Sequence, residues 1–383
     1  MQEYLKPVSN TVKVRLKYLE AGCIGKQITI YNDKTQFPDL TNMKIAIVGV
    51  GDNDKSEEES FCFEALRLSF YSLHSGNWSS PIADIGDIAP GHSRSDTLFA
   101  VQKVTETLLQ QDVIPILLGG GQDLVYGQYR GYTHLNKMLH YVNIDSQFDL
   151  GDMEGIITNR NYVGKMVSTK PYRLFNYTVL GYQSYYNNID EIALLDHLLF
   201  DAFRLGDFTA DITKVEPYLR DADMVSVDIT SVQAACLGNL HCHPNGWNSR
   251  EVCALARYAG MSNSCKSFSI TEIDKVKLGP QAAMLLAQII WYFLEGVNFR
   301  IADENFNDEN HFKNYQVPIK DLTLHFKKSL MSGRWWVKLP KSLHSDTKIK
   351  SVALLPCSYE DYLTACDQEL PERWLKAQRK LSL

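Results

Sequence analysis

Short apolar runs, each closed by glycine or polar residues, recur along most of this chain and alternate with stretches of helical spacing. MKIAIVGV at 43–50, PIADIGDI at 81–88, VIPILL at 113–118 and HYVNI at 140–144 are mostly apolar from end to end. Unbroken apolarity marks strands covered on both faces, as in a parallel sheet. Between them, 60–74 and 95–111 repeat apolar residues at three- and four-residue intervals, which predicts helices, with Ser95 as N-cap of the second. Strand patterns return at 177–182, 224–229 and 267–273, and helical patterns near 191–200, 249–260 and 279–296. Such alternation predicts a three-layer α/β/α domain with a mainly parallel sheet.

The pattern sets the expected divisions. Residues 1–42 read as an N-terminal extension with extended-looking segments at 11–19 and 27–32. The α/β/α domain occupies 43–297, interrupted by an irregular polar loop at 151–170. Residues 298–383 read as a C-terminal extension packed on that core. Trp335, Trp336 and Trp374 are expected to pack onto it, a partner or homo-oligomer surface being the alternative. In this extension Ser358 and Asp361 form a capping-box pattern, and Pro371 suits a first helical position.

Composition narrows the classes. Of 383 residues, 45% are hydrophobic, enough for a large core, and a net charge of −6 offers no basic footprint for nucleic acid. Eight cysteines without any CxxC pair suit free thiols in a reducing compartment. Met1–Asn10 lacks a signal-peptide pattern, and the apolar stretch 282–297 is too short to span a bilayer. A cytoplasmic protein without membrane association is expected. The GVGDN after the first apolar run is read as a plain strand-to-loop turn rather than a phosphate loop.

Polar clusters sit where the predicted strands end, and the carboxyl ends of an open α/β sheet are where ligands bind. Asp145, Gln147 and Asp149 follow HYVNI at alternate positions, so an extended strand end would point all three one way. Asp228 closes VSVD and Glu272 closes SITE. Carboxylates gathered in one crevice repel one another and need a cation or protons to coexist.

These residues give the chain a resemblance. GGGQD at 119–123, DSQFDL at 145–150, DIT running into Ala234–Ala235, and ITEI at 270–273 occur in the order of the ureohydrolase motifs GGGHE, DAHFDL, a DLD-type motif and a late strand ending in Glu. The chain resembles the arginase, agmatinase and formimidoylglutamase superfamily, and most of all the formimidoylglutamase branch. The resemblance implies an arginase-like fold. It also implies a site in which six side chains hold two manganese ions and a bridging hydroxide attacks the guanidino or formimino carbon. By position, the six fall on Gln122, Asp145, Gln147, Asp149, Asp228 and Thr230, and the late acidic residue, a substrate anchor, falls on Glu272. Asp145, Asp149 and Asp228 keep the family's residue type, whereas Gln122, Gln147 and Thr230 do not.

The replacements share a direction: two imidazoles become neutral amides and one carboxylate a hydroxyl, all weaker manganese donors. A two-manganese cluster is therefore not expected. Either no metal binds or one weakly held Mg²⁺, Ca²⁺ or Mn²⁺ sits among Asp145, Asp149, Asp228 and the Gln122 amide oxygen. The expected function is a binding or regulatory module with a small-molecule ligand in the sheet-end crevice, lacking hydrolase chemistry. The alternative is an active hydrolase of linear amidines using one ion or none. Two weaker candidates remain. Cys236, His241, Cys242 and His243 lie close together, but their spacing fits no common zinc pattern and reads as a loop at the site mouth. His92 follows the second apolar run and reads as a solvated loop residue. No nucleophile-elbow motif occurs.

Overall fold

The apolar runs become the strands of one large sheet. The computed structural model describes residues 1–32, 37–51, 62–77, 80–135, 137–239, 242–276, 278–303, 306, 310–340 and 354–382. Its strands are β1 (Leu5–Lys6), β2 (Thr29–Ile30), β3 (Ile45–Val50), β4 (Ile82–Ile88), β5 (Ile114–Gly119), β6 (Leu139–Ile144), β7 (Leu174–Tyr182), β8 (Asp201–Arg204), β9 (Met224–Asp228) and β10 (Ser267–Thr271). They lie in the order β1-β4-β3-β5-β10-β9-β6-β7-β8, with β2 also pairing β4. β1 is antiparallel to β4, and the other pairings are parallel.

The helices are α1 (Asn10–Leu16), α2 (Cys62–Ser72), α3 (Arg94–Gln110), α4 (Leu124–Gly131), α5 (Tyr162–Ser168), α6 (Ile189–His197), α7 (Glu216–Arg220), α8 (Ala234–Leu237), α9 (Ser249–Met261) and α10 (Pro280–Asn298). They cover both faces of the sheet. Ile45 and Ile47 meet Phe63, Leu66 and Phe70 of α2 in the layer that holds α9 and α10. Their neighbours Ala46 and Val48 point the other way, toward Leu98, Val101 and Val104 of α3. Tyr141 and Tyr177 pack on that second side with α4, α5 and α6. Successive strand residues are therefore both buried, each apolar side chain contributing roughly 1.5–3 kcal/mol of transfer free energy. Among the described residues no helix is long and apolar enough to cross a membrane.

Four sequence expectations are corrected. The extended-looking 11–19 segment is helical: Ser9 caps α1, and only Val12 of that helix is buried, so its alternation serves no sheet face. Helix α3 starts before Ser95. Ser93 is its N-cap, accepting from Asp96 N while the Asp96 carboxylate accepts from Ser93 N. A cap at Ser95 would put the buried Leu98 where a capping box needs an acid. The 151–170 loop contains α5, and its Tyr162, Val163 and Met166 are buried.

The fourth correction concerns the tryptophans. In the C-terminal extension β11 (Phe312–Ile319), β12 (Leu322–Ser329), β13 (Trp335–Lys338) and β14 (Leu354–Cys357) pair in that order as a four-stranded antiparallel sheet, followed by α11 (Tyr359–Cys366) and α12 (Glu372–Ser382). Trp335 and Trp374 fill a core that belongs to this small sheet, with Leu324, Phe326 and Val337. Only Trp336 turns toward the large domain, where the Arg220 guanidinium lies 4.7 Å over its ring. The Ser358–Asp361 capping box forms at the start of α11.

Candidate functional site

Strand order brings the polar clusters together. β5, β10, β9 and β6 are consecutive in the sheet, and from their carboxyl ends project Gln122, Glu272, Asp228 and Asp145 in turn. All four are buried, as is Asp149 in the segment after β6. Asp149 and Glu272 hold left-handed backbone conformations, with φ of 54° and 60°. Non-glycine residues adopt these at a cost of about 1–3 kcal/mol, and such strain gathers at functional sites.

Each carboxylate meets donors. Asp145 Oδ2 accepts from Gln122 Nε2 at 2.5 Å and Asn143 Nδ2 at 3.0 Å, and its Oδ1 accepts from Gln147 N at 3.0 Å. The Gln122 amide also donates to Tyr162 Oη at 3.1 Å and lies 3.3 Å from Asn143 Oδ1. Behind it, Ser226 Oγ donates to Asn143 Oδ1 at 2.6 Å, and Tyr141 Oη bridges Ser226 at 2.6 Å and Tyr162 at 2.8 Å. Asp228 Oδ1 accepts from both the N–H and the hydroxyl of Thr230, each at 2.7 Å. Glu272 Oε1 accepts from Gln122 N at 2.8 Å and Asn159 Nδ2 at 2.6 Å, and its Oε2 pairs with Lys275.

Gln147 departs from expectation. β6 ends at Ile144, so the alternation that would align residues 145, 147 and 149 does not continue. Gln147 gives Asp145 its backbone N–H, and its half-buried side chain takes no part in the cluster. Sequence reading also passed over Asn143, Tyr141, Tyr162 and Ser226. Asn143 and Ser226 carried a signal, as polar residues inside fully buried strands.

Burial raises the Asp145 carboxyl above its ordinary value despite these donors. Burial, then the charge of Asp145, pushes Asp149 and Asp228 well above theirs. Among the described residues, Asp149 Oδ1 has one cationic neighbour, Arg160 Nη1 at 3.4 Å, and its buried Oδ2 meets no hydrogen-bond partner. Among the described residues, no three His, Cys, Asp or Glu side chains are placed to hold one metal ion.

Outside this acidic floor the crevice is basic. A cleft of about 630 Å³ is lined by His92, Arg94, Asp123, Asn159, Arg160 and Lys275. Arg94 Nε donates to Asp123 Oδ2 at 2.7 Å, closing one wall. Gly121 lets the chain pass between the walls: a Cβ there would lie 2.5 Å from Asn159 Oδ1. His92 is exposed at the rim. Asn159 and Arg160 come from the loop after DSQFDL, which gave no residue-level expectation. In the cysteine–histidine loop, His243 Nδ1 bonds Tyr186 Oη at 2.7 Å, and Cys236 and Cys242 are free thiols. His241 lies outside the described residues.

Fold and site define the class: a parallel α/β/α protein whose adjacent strands deliver carboxylates and amides to one crevice at their carboxyl ends, where ligands bind in sheets of this kind. The sequence profile of the Arginase family matches residues 55–295, and the chain belongs to that family. It is 26% identical over 235 residues to the formimidoylglutamase of Streptococcus gordonii, covering 56% of this chain and 70% of that protein. For the formimidoylglutamase of Streptococcus pyogenes the match is 30% over 132 residues, 32% of this chain and 39% of that one. The crystal structure of Trypanosoma cruzi formiminoglutamase with Mn²⁺₂ superimposes with a TM-score of 0.63 at 14% identity, covering 73% of this chain and 99% of that one. Bacillus subtilis formimidoylglutamase gives 0.61 at 14% identity, over 72% and 92%. These structures share the fold.

Proposed function

We propose that this chain is a formimidoylglutamase-like member of the Arginase family in which the metal cluster has become a buried hydrogen-bonded core, leaving a binding or regulatory module. The observation that carries this reading is the direction of the substituted side chains. Gln122 turns its amide N–H₂ onto Asp145, and Thr230 places both its N–H and its hydroxyl on Asp228 Oδ1. Donors stand where a metal would need donated lone pairs, so this residue set does not fit a pair of manganese ions.

The retained residues support anchoring rather than turnover. Asp145 is taken up by Gln122, Asn143 and the Gln147 N–H, and Glu272 is engaged by Gln122, Asn159 and Lys275. The cleft instead offers Arg160 and Lys275 on one rim and the Arg94–Asp123 pair on the other, suited to a small ligand that carries an anionic group. A second reading, hydrolysis of a linear amidine with one ion or none, is favoured by the unpartnered Asp149 Oδ2.

The test is metal content after equilibration with excess Mn²⁺, with assays for release of urea from agmatine or arginine and of formamide from formimidoylglutamate. We expect fewer than two ions per chain and no turnover. Two ions together with a kcat of about 1 s⁻¹ or more would overturn the reading. The triple variant Gln122→His, Gln147→His, Thr230→Asp is expected to gain manganese binding, because it returns imidazole and carboxylate to the three positions at which the family resemblance places metal ligands.

A further inference from the structure

Beside the sheet-end crevice a groove runs between α3 and α4, bordered by the loop that precedes α5. Ser95, Leu98, Phe99 and Gln102 recur at intervals of three and four, so they share one face of α3. Tyr126 and Arg130 lie one turn apart on α4. The two helices meet closely, since a Cβ at Gly127 would lie 2.7 Å from the Leu98 carbonyl oxygen. Leu98 and Gly127 therefore form a floor, and the longer side chains on either side stand as walls. With Ile157 and Lys165 they enclose a space of about 470 Å³. Ile157 also lines the sheet-end crevice, so it stands between the two.

Apolar surface and polar groups both open into this space. Phe99 is 49% exposed, its ring touching Tyr4 edge-on at 6.4 Å, and Ile156 of the bordering loop is 86% exposed. One exposed apolar side chain is ordinary, but several around a single concavity mark a contact site. Among the described residues the Gln102 amide, the Tyr126 hydroxyl and the Arg130 guanidinium meet no hydrogen-bond partner. The neighbouring charges are otherwise engaged. Glu106 of α3 is paired with Lys103 at 2.9 Å. Lys165 donates to the Met153 carbonyl at 2.6 Å and has the Asp152 carboxylate nearby. No described carboxylate lines the groove. Arg130 is therefore a half-buried cation with neither an acceptor nor a counter-charge at ion-pair distance.

We infer that this groove binds a small aromatic monocarboxylate, its charge on Arg130 and its ring against Phe99, Tyr126 and Ile157. The planar guanidinium fork matches the two oxygens of a carboxylate, and the Gln102 amide and Tyr126 hydroxyl are further donors along the same walls. A flat ring covers the exposed aromatic surface over the Leu98 floor. The volume falls within the range of small-molecule sites, which pair a mostly apolar lining with a few polar groups. Other ligand classes satisfy only part of this lining. An alkyl ammonium finds no anion, and a small inorganic anion leaves the apolar walls wet.

The test uses the full chain and indole-3-acetate, with the neutral indole-3-acetamide and plain acetate as controls at equal ionic strength. Indole-3-acetate is expected to bind saturably by calorimetry. The amide should bind at least about tenfold more weakly, because it lacks the charge that Arg130 pairs. Acetate, which lacks the ring, should be weaker than the acid as well. Arg130→Met should bring the acid down to the level of the amide, whereas Arg160→Ala in the sheet-end crevice should leave it unchanged. In the wild-type chain, the Arg130 side-chain Nε signal followed by ¹⁵N NMR should shift on titration, a readout that needs no variant. No saturable binding, equal affinity for acid and amide, loss in Arg160→Ala instead of Arg130→Met, or an unmoved Arg130 signal would each overturn the proposal. A dimer that dissociates in Phe99→Ala would overturn it too, and would assign the groove to a second copy of the chain.

Discussion

Gln122 shows how one side chain redefines a site. Its amide carries two hydrogens into a ring of acceptors formed by Asp145, Asn143 and Tyr162, all buried. Gln122→Leu keeps similar bulk but removes the donor, leaving a buried carboxylate short of a partner. The expected cost is about 1–3 kcal/mol, read as a lower urea midpoint at unchanged m-value. Gln147→Leu should cost less than about 0.5 kcal/mol, because only its backbone N–H reaches Asp145. Equal losses at the two positions would contradict this geometry. The acidic residues were legible in the sequence because a carboxylate stands out at the end of an apolar run. The donors were not, because hydrogen-bond direction depends on where the chain turns, and here β6 stops before Asp145 while Asp149 takes a left-handed backbone. Arg160 was hidden for the same reason, since a loop residue 11 positions from Asp149 meets it only through the fold.

At the scale of elements, strands were easier to read than caps and short helices. Burial on both faces writes itself into every position of β3 and β5, so length and apolarity suffice. α1 has seven residues and buries one of them, and its Val12, Val14, Leu16 alternation imitates a strand. α5 lies in a segment whose turns and polar residues mask its single buried face. The N-terminus of α3 gives a direct check. Ser93 and Asp96 satisfy each other's backbone N–H groups, so Ser93→Ala should cost about 1 kcal/mol. Ser95→Ala, at the position favoured by periodicity alone, lies inside the first turn and should change stability by no more than a few tenths. Thermal or urea unfolding of the two variants separates the assignments.

At the scale of the whole molecule, the question is what binds the C-terminal sheet to the domain that carries the crevice. The extension has its own apolar core, and much of the join is polar. Glu216 of α7 lies at its centre. Its Oε1 accepts from Arg220 Nε at 3.0 Å and pairs with Arg334 Nε of the extension at 3.1 Å, while Arg220 Nη1 donates to the Trp335 carbonyl at 2.7 Å. Burial alone would raise the Glu216 carboxyl, but Arg220 and Arg334 outweigh it and hold it below its ordinary value. Arg220 and Arg334 are 7% and 9% exposed, so neither recovers hydration if the carboxylate is lost. Glu216→Ala is therefore expected to cost about 3–5 kcal/mol, more than a surface ion pair by several-fold. Glu216→Gln, which keeps the shape and one acceptor, should cost less. Because the loss falls on the join, calorimetry of Glu216→Ala should show the extension melting in a separate, earlier transition. The large domain should keep its own melting temperature to within a few degrees. A single transition shifted as a whole would mean that the two sheets are coupled mainly through apolar contact rather than through this carboxylate.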